Sequence, residues 1–271
     1  MNTTTINNTT SNNLLSNFSK NGFTNDIKMP ESFSDISYDL LMSVMTNVDR
    51  SLMNEFCKCV INSGHVDLVI TGNIGVGKST CCQLLTLLLK DKLEINTYPE
   101  YIRMEKCGEE MLKLRADKKI SVETFQHFIL DFWYLILHDR DYNSKHLSIY
   151  ERLPEDSLYC FAKQSYECGD IQPDGWRRLV NRYEEIKTDF NIFEKKDCVV
   201  VRISNESSLD KTLHSIMMTV IELLSEPKPT KKIYVILDVD RETYHNRIHI
   251  RNRDSEKALS SDILRQYESY Y

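Results

Sequence analysis

The strongest indication of the fold is the stretch Thr71-Gly72-Asn73-Ile74-Gly75-Val76-Gly77-Lys78-Ser79-Thr80. It has the pattern G-x-x-x-x-G-K-[ST], in which main-chain amides and a lysine surround a phosphate group. The run VDLVIT at 66–71 before it predicts a buried strand, and the leucine-rich run at 78–89 after it predicts a helix. The pattern therefore stands in the strand–loop–helix context that a triphosphate-binding loop requires.

Each residue type in this loop has a physical reason to be there. Glycine lets the backbone take positive φ angles and approach a phosphate closely, and the N-terminus of the following helix favours an anion. Lys78 would bring a positive charge to the β- and γ-phosphates, and the Ser79 hydroxyl would bind Mg²⁺. A glycine-rich turn without function is the alternative interpretation. The residues expected to contact ATP are Gly72, Asn73, Ile74, Gly75, Val76, Gly77, Lys78, Ser79 and Thr80.

Strand and helix patterns alternate along the rest of the chain. Continuous apolar runs rich in β-branched residues, separated by helical patterns, are typical of a parallel sheet covered by helices on both faces. We therefore predict an α/β fold. The predicted strands are 66–71, 93–98, 147–151, 198–204 and 232–238, and the predicted helices are 38–62, 78–89, 122–138, 155–168, 174–190, 209–224, 241–250 and 262–270.

Composition and charge exclude several classes of protein. The 271 residues carry 34 basic and 40 acidic side chains, a net charge of −6, which argues against a nucleic-acid partner because duplex binding needs a basic face. No apolar run is long enough to span a bilayer, and the first residues do not form a secretory signal. The eight cysteines include no C-x-x-C pair. We expect a cytoplasmic protein with free thiols and no membrane partner.

The chain divides into three parts by composition. Residues 1–36 are rich in Asn, Thr and Ser and are expected to be disordered. Residues 37–64 predict an amphipathic N-terminal helix that packs on the following domain, with a partner-binding helix as the alternative. Residues 65–271 form the predicted phosphate-loop domain, in which 191–231 is an inserted strand–helix unit.

Three charged clusters follow the loop. Glu100 comes after the second predicted strand, and Glu151 with Arg152 ends the third. These three residues would therefore lie where open α/β sheets bind ligands. Arg247 and Arg251 are four residues apart and share one helix face. Taken singly, these clusters are also consistent with a helix cap, a structural ion pair and a solvated charge run.

Together, these segments resemble the deoxynucleoside kinases, the group that includes the deoxyribonucleoside kinases and the herpes-type thymidine kinases. The matching text is GNIGVGKST at 72–80, PE at 99–100, FQ at 125–126, ERLPEDSLYCF at 151–161 and YHNRIHIRNRDSE at 244–256. The resemblance covers about residues 66–190 and 232–270. It implies a P-loop kinase fold with a lid, and phosphorylation of a nucleoside 5′-hydroxyl by ATP with Mg²⁺ for nucleotide salvage.

The resemblance also implies roles for single residues. Glu100 stands at the position of the general base for the 5′-hydroxyl, and Lys78 and Arg152 complete the expected catalytic set. In the nucleoside site, the resemblance places Gln126 on the base edge, Phe161 against the base, and Glu256 at the sugar 3′-hydroxyl. Ser79 and Glu151 are the expected Mg²⁺ residues, and Arg247, Arg251 and Arg253 are the expected lid arginines on ATP.

The chain departs from the family pattern at several positions. Leu153 replaces a serine, Arg103-Met104-Glu105 stand where an aromatic residue is expected, and a tyrosine is replaced near Arg115. The family pattern has a final strand after the lid helix, which we do not expect here, and we expect the unit 198–225 to fill its place in the sheet. The resemblance makes a homodimer the default. Two other functions stay open. One is a nucleoside monophosphate (thymidylate) kinase, which Arg103 and Arg115 keep open, although the PE pair at 99–100 and FQ at 125–126 favour a nucleoside. The other is a nucleotide-binding scaffold without catalysis.

Overall fold

The computed structural model describes residues 36–103, 105–138, 145–190, 194–205, 208–251 and 261–270. The tail expected over 1–36 therefore lies outside the described residues except for its last position. The lid residues Arg253 and Glu256 also lie outside them.

A parallel sheet forms the centre of the protein. In the described part of the chain it has five strands in the order β2-β3-β1-β5-β4. The central strand β1 is buried at all six positions and pairs with β3 on one side and β5 on the other. The α/β class predicted from the sequence is confirmed. The strands are β1 (Val66–Thr71), β2 (Ile95–Tyr98), β3 (Leu147–Glu151), β4 (Val199–Ser204) and β5 (Lys232–Asp238).

Helices cover both faces of this sheet. On one face α2 packs against α8, and on the other α5 packs against α7. The described helices are α1 (Tyr38–Asn47), α2 (Arg50–Ser63), α3 (Lys78–Leu89), α4 (Glu105–Ala116), α5 (Val122–His138), α6 (Pro154–Asp156, the π-helical turn Ser157–Ala162, and Lys163–Glu167), α7 (Pro173–Phe190), α8 (Leu209–Ser225), α9 (Arg241–Arg251) and α10 (Ser261–Glu268).

The single N-terminal helix predicted over 37–64 is wrong, because the segment forms two helices. Val48 takes an extended conformation, and the Asp49 side chain accepts a hydrogen bond from the Ser51 amide at 2.7 Å. An aspartate in this position satisfies a free amide at the start of a helix, so it begins α2 rather than continuing α1. Val44, Leu52 and Phe56 are buried in the core.

Helix α4 was not predicted. Its sequence is strongly charged and contains Gly108, which is unfavourable inside a helix, so the apolar periodicity is weak. The structure explains the glycine: a Cβ at position 108 would lie 2.3 Å from the carbonyl oxygen of Tyr101. The close approach of two backbone segments requires this residue, and tertiary packing overrides its low helix propensity.

The unit between α7 and β5 adds an edge strand to the sheet. Strand β4 pairs in parallel with β5 from Val199↔Ile233 to Ser204↔Asp238. The expectation that this strand belongs to the main sheet is confirmed. The carboxyl end of β4 therefore lies beside the ends of β5 and β1, close to the phosphate loop.

The order of strands brings the charged clusters together. The phosphate loop follows β1, Glu100 follows β2, and Glu151 and Arg152 stand at the end of β3. Because β2, β3 and β1 are adjacent and parallel, these residues share one edge of the sheet. Among the described residues, no helix is both long and apolar enough to cross a bilayer.

Candidate active site

A cavity of about 1010 Å³ opens at this edge of the sheet. This volume is at the upper end of the range of about 300–1,000 Å³ that is usual for small-molecule sites. Part of its wall is the phosphate loop and the rest is side chains from several elements. The expected site residues that line it are Ile74, Gly75, Gly77, Lys78, Ser79, Thr80, Glu100, Gln126, Glu151, Arg152, Phe161, Arg247 and Arg251.

Three expected loop residues lie outside this cavity. Gly72 and Asn73 line a second cavity of about 260 Å³, and the Val76 side chain is packed in the core. Gly72 has a φ of +131°, and a Cβ there would lie 2.3 Å from the Leu237 carbonyl oxygen. Gly77 has a φ of +97° and precedes the first residue of α3. The loop shape therefore depends on glycine at both positions.

Lys78 is the first residue of α3 and is buried beside the loop. Its Nζ donates a hydrogen bond to the Asn73 carbonyl at 2.8 Å. Burial, and next the positive charge of Arg152, lowers the pKa of Lys78 from 10.5 to about 8. A cationic lysine in such a place has lost its water shell and is stabilised by an anion.

Ser79 and Glu151 are the expected magnesium residues, and they contact each other. The Ser79 hydroxyl donates to Glu151 Oε1 at 2.5 Å, and Glu151 is buried. Hydroxyl and carboxylate oxygens suit Mg²⁺, which keeps several water molecules and takes further oxygens from phosphates. The two side chains therefore fit a magnesium ion bound between the protein and a triphosphate.

Arg152 holds Glu100 at the other side of the cavity. Its Nε lies 3.2 Å from Glu100 Oε1, and its guanidinium lies 4.8 Å from the centre of the Phe161 ring. The Arg152 backbone has a φ of +71°, an unusual value for a residue other than glycine. Strained backbone of this kind is frequent at functional sites, and here it turns the chain at the end of β3.

Gln126 and Phe161 lie in the same cavity on different helices. Gln126 is on α5, is buried, and its Oε1 accepts a hydrogen bond from the Ser157 hydroxyl at 2.9 Å. Ser157 and Phe161 both belong to the π-helical turn of α6. The sequence predicted an ordinary helix over 155–168, and π-helical turns occur frequently at functional sites. Ser157 was not among the predicted site residues.

Tyr267 is a further cavity residue that the sequence did not indicate. It lies on α10, and its ring centre is 4.7 Å from that of Phe161. Burial raises its pKa to about 12, so the hydroxyl is neutral at physiological pH. The Asn73 side chain donates to the Leu264 carbonyl at 3.0 Å and holds α10 against the phosphate loop. Only the long-range fold reveals this residue, since it is 106 positions from Phe161 in the sequence.

Asn205 was also missed. It stands just after β4, is buried, and donates from Nδ2 to the carbonyl of Val76 in the phosphate loop at 2.6 Å. Arg247 donates to the same Val76 carbonyl at 3.2 Å and to the Asn205 carbonyl at 2.9 Å. The predicted lid arginine Arg247 is therefore bonded to one main-chain carbonyl of the loop and to one just after β4.

The sheet order and the loop between β1 and α3 define the class of protein: an α/β nucleotide-binding protein of the phosphate-loop type. A comparison with family models matches the deoxynucleoside kinase family over residues 68–207, more than half of the chain. The chain belongs to the deoxynucleoside kinase family, and the resemblance inferred from the sequence is confirmed. A search of the curated proteins finds no match.

Family membership implies a kinase, a transferase that binds nucleotides. The matched segment runs from β1 to the residues just after β4, so it includes Glu100, Gln126, Arg152 and Asn205. Helices α9 and α10 lie beyond it.

Proposed function

We propose that this protein transfers the γ-phosphoryl group of ATP to the 5′-hydroxyl of a (deoxy)nucleoside and so takes part in nucleotide salvage. The observation that carries the proposal is that Glu100 shares one cavity with Lys78 and is held there by Arg152 at 3.2 Å. The loop and Lys78 would bind the phosphates, so the Glu100 carboxylate in the same cavity is left to act as a general base.

In the reaction, the nucleoside 5′-oxygen forms a bond to the γ-phosphorus while the bond to the β-phosphate oxygen breaks. Glu100 takes the proton of the hydroxyl. Lys78 and the arginines Arg152, Arg247 and Arg251 line the same cavity and stabilise the negative charge of the phosphoryl oxygens. Ser79 and Glu151 would hold Mg²⁺, which would neutralise further phosphate charge.

The aromatic and amide groups in the other half of the cavity support a nucleoside as the acceptor. The Phe161 ring offers a face or edge to a base, and the Gln126 amide offers one acceptor and two donors for the base edge. The Ser157 hydroxyl already bonds to Gln126 Oε1, which orients the amide. The cavity volume of about 1010 Å³ supports a site that holds the nucleoside next to the triphosphate.

A second candidate is phosphorylation of a nucleoside monophosphate. Arg115 and Lys118 line the same cavity and add positive charge to it. An acceptor that already carries a phosphate would need such cations. The side chain of Arg103, the other arginine that favours this reading, lies outside the described residues.

The experiment that tests the proposal is a comparison of the natural nucleosides and thymidylate as acceptors with Mg-ATP, each measured as kcat/KM. A nucleoside acceptor supports the proposal, and activity on thymidylate alone supports the second candidate. If none of these acceptors gives a product, the result supports the remaining alternative, a nucleotide-binding scaffold without catalysis.

The Glu100→Gln variant tests the role of the carboxylate. We expect kcat to fall about 10²- to 10⁴-fold, the usual contribution of a general base, because the amide cannot accept the proton. The dissociation constant of ATP should stay unchanged, since Glu100 is not part of the phosphate loop. Glu109→Gln is the matched control, because Glu109 lines the same cavity and is exposed. Equal kcat values for wild type and Glu100→Gln would contradict the proposal.

A further inference from the structure

Asn205 joins three parts of the protein at the rim of the cavity. Its main-chain N–H donates to the Asp238 carbonyl at the end of β5, at 2.7 Å. Its side-chain Oδ1 accepts from the Thr212 hydroxyl of α8 at 2.8 Å, and its Nδ2 donates to the Val76 carbonyl at 2.6 Å. Only 3% of its surface is exposed. The side chain is therefore held at both ends of its amide.

The bond to Val76 controls a peptide of the phosphate loop. The peptide group between Val76 and Gly77 is planar, so the direction of the Val76 carbonyl also sets the direction of the Gly77 N–H. Rotation of this peptide would break the bond from Asn205 and the bond from Arg247 to the same oxygen. A loop that binds phosphate through main-chain amides needs such a fixed orientation before the ligand arrives.

The packing around Gly77 supports the same conclusion. A Cβ at position 77 would lie 2.6 Å from Asn205 Nδ2, so the asparagine amide occupies the space beside the glycine. Arg247 approaches the same point, with a nitrogen 3.8 Å from that Cβ position. The loop is thus supported by Asn205 and Arg247, two side chains from elements distant in the sequence.

We infer that Asn205 is a positioning residue for the triphosphate: its amide holds the Val76–Gly77 peptide in the orientation that binds phosphate. It acts through the loop and not on the reacting atoms. The inference rests on the proposed function in one respect, since it takes the loop to bind ATP. It also identifies a role for the edge strand β4, which places Asn205 beside the loop.

The test uses the full chain with Asn205→Ala and with Asn205→Asp, which is nearly the same size but has no N–H donor for Val76. Thr212→Val is the matched control, because it removes the hydroxyl bonded to Asn205 Oδ1 and leaves the bond to Val76. Calorimetry measures the dissociation constants of Mg-ATP and of inorganic tripolyphosphate. Hydrogen exchange of the segment 72–80 without ligand measures the order of the loop.

We expect Asn205→Ala and Asn205→Asp to weaken binding of both ligands about tenfold, a factor that corresponds to about 1.4 kcal/mol, and to speed exchange in 72–80. The KM for ATP should rise while kcat and the KM for the nucleoside change by less than about twofold. Thr212→Val should change the affinities by less than about twofold even if it lowers thermal stability.

Two results would overturn the inference. One is wild-type affinity and wild-type exchange in both Asn205 variants; the other is a loss of affinity in Thr212→Val as large as that in Asn205→Ala. Failure of the proposed function gives a different pattern: wild-type protein binds tripolyphosphate but phosphorylates no nucleoside. In that case the exchange and calorimetry data still decide the role of Asn205, because neither depends on turnover.

Discussion

The two halves of the cavity are built in different ways. The half that we propose for the triphosphate is made by one continuous segment, the loop and the first turn of α3, and its shape depends on the backbone angles at Gly72 and Gly77. The half that we propose for the nucleoside is made by side chains from five separate elements. These side chains are Glu100 after β2, Gln126 on α5, Arg152 after β3, Phe161 on α6 and Tyr267 on α10.

This difference has a physical origin. Every triphosphate presents the same phosphate groups, so main-chain amides in one fixed geometry can bind it. Nucleosides differ in base and sugar, so their recognition needs side chains whose identity can change without changing the fold. We therefore expect substitutions in the two halves to produce different kinds of defect: loss of the loop structure in one and altered KM for the nucleoside in the other.

Among the substitutions that test this comparison, Gly72→Ala is expected to have the largest effect. The substitution forces alanine to a φ of +131° and brings its Cβ to 2.3 Å from the Leu237 carbonyl, so β5 or the loop must move. We expect the free energy of unfolding to fall by about 2–5 kcal/mol from the backbone strain and the overlap. Urea denaturation measures this loss, and calorimetry with tripolyphosphate measures the accompanying loss of binding.

Gly169→Ala is the control for the strain alone. Gly169 also has a positive φ, +82°, but a Cβ there would meet nothing within 4 Å. Its expected cost is about 1–2 kcal/mol, the usual penalty for a left-handed residue with a side chain, and phosphate binding should be retained. Equal losses of stability in the two variants would show that contact with β5 does not shape the loop.

The same contrast explains how much the sequence could predict. The loop residues from Gly72 to Thr80 could be found from a local pattern, because the residues that form the loop are contiguous in the chain. Tyr267 and Asn205 could not, because α10 and the end of β4 meet the cavity only through long-range packing. Strands β1, β3, β4 and β5 carried a clear apolar signal, and the short strand β2 carried a weaker one. The polar helix α4, interrupted by Gly108, carried none.

The roles of Gln126 and Phe161 came from the resemblance to the family rather than from their own pattern, whereas Glu100 was also indicated by its place at the carboxyl end of a strand. The structure brings these three side chains into one cavity with the loop. Their chemistry remains a prediction until it is measured. Of the lid, Arg247 and Arg251 are described, while Arg253 and Glu256 stay predictions outside the described residues.

A moderate effect is expected from pH on the triphosphate half. The pKa of Lys78 is lowered to about 8, mainly by burial, so the lysine loses its charge as the pH rises through this value. Mg-ATP binds the charged form better, so its dissociation constant should rise with pH, approaching about tenfold per pH unit above 8. Calorimetry between pH 7 and about 9.5 measures this dependence, and the KM for the nucleoside should depend less on pH.

Lys78→Arg and Lys78→Met are the controls, because neither side chain loses a proton in this range. Both should give a flat profile, with weaker binding throughout for the methionine variant. The free energy of unfolding should change with pH in the opposite direction to the affinity for ATP. Since the folded pKa of about 8 lies below the ordinary value of 10.5, the ligand-free protein gains stability as pH rises between these two values. A wild-type profile with the same slope as Lys78→Met would contradict the role of Lys78.

The smallest effect is expected from Tyr267, and it tests whether α10 belongs to the nucleoside half. Removal of the ring in Tyr267→Ala loses the contact with Phe161, and aromatic pairs contribute about 0.5–1.5 kcal/mol, so the nucleoside KM should rise up to about tenfold. Tyr267→Phe keeps the ring and should change this KM about twofold to threefold if the neutral hydroxyl bonds to the substrate.

Tyr270→Phe is the matched control, because the Tyr270 hydroxyl bonds to Glu167 and Tyr270 is not among the residues that line the cavity. Because Asn73 bonds to the Leu264 backbone, the same helix also touches the phosphate loop. Equal changes in the KM for ATP and for the nucleoside would therefore mean that α10 supports the whole cavity, and the division into two halves would then end at this helix.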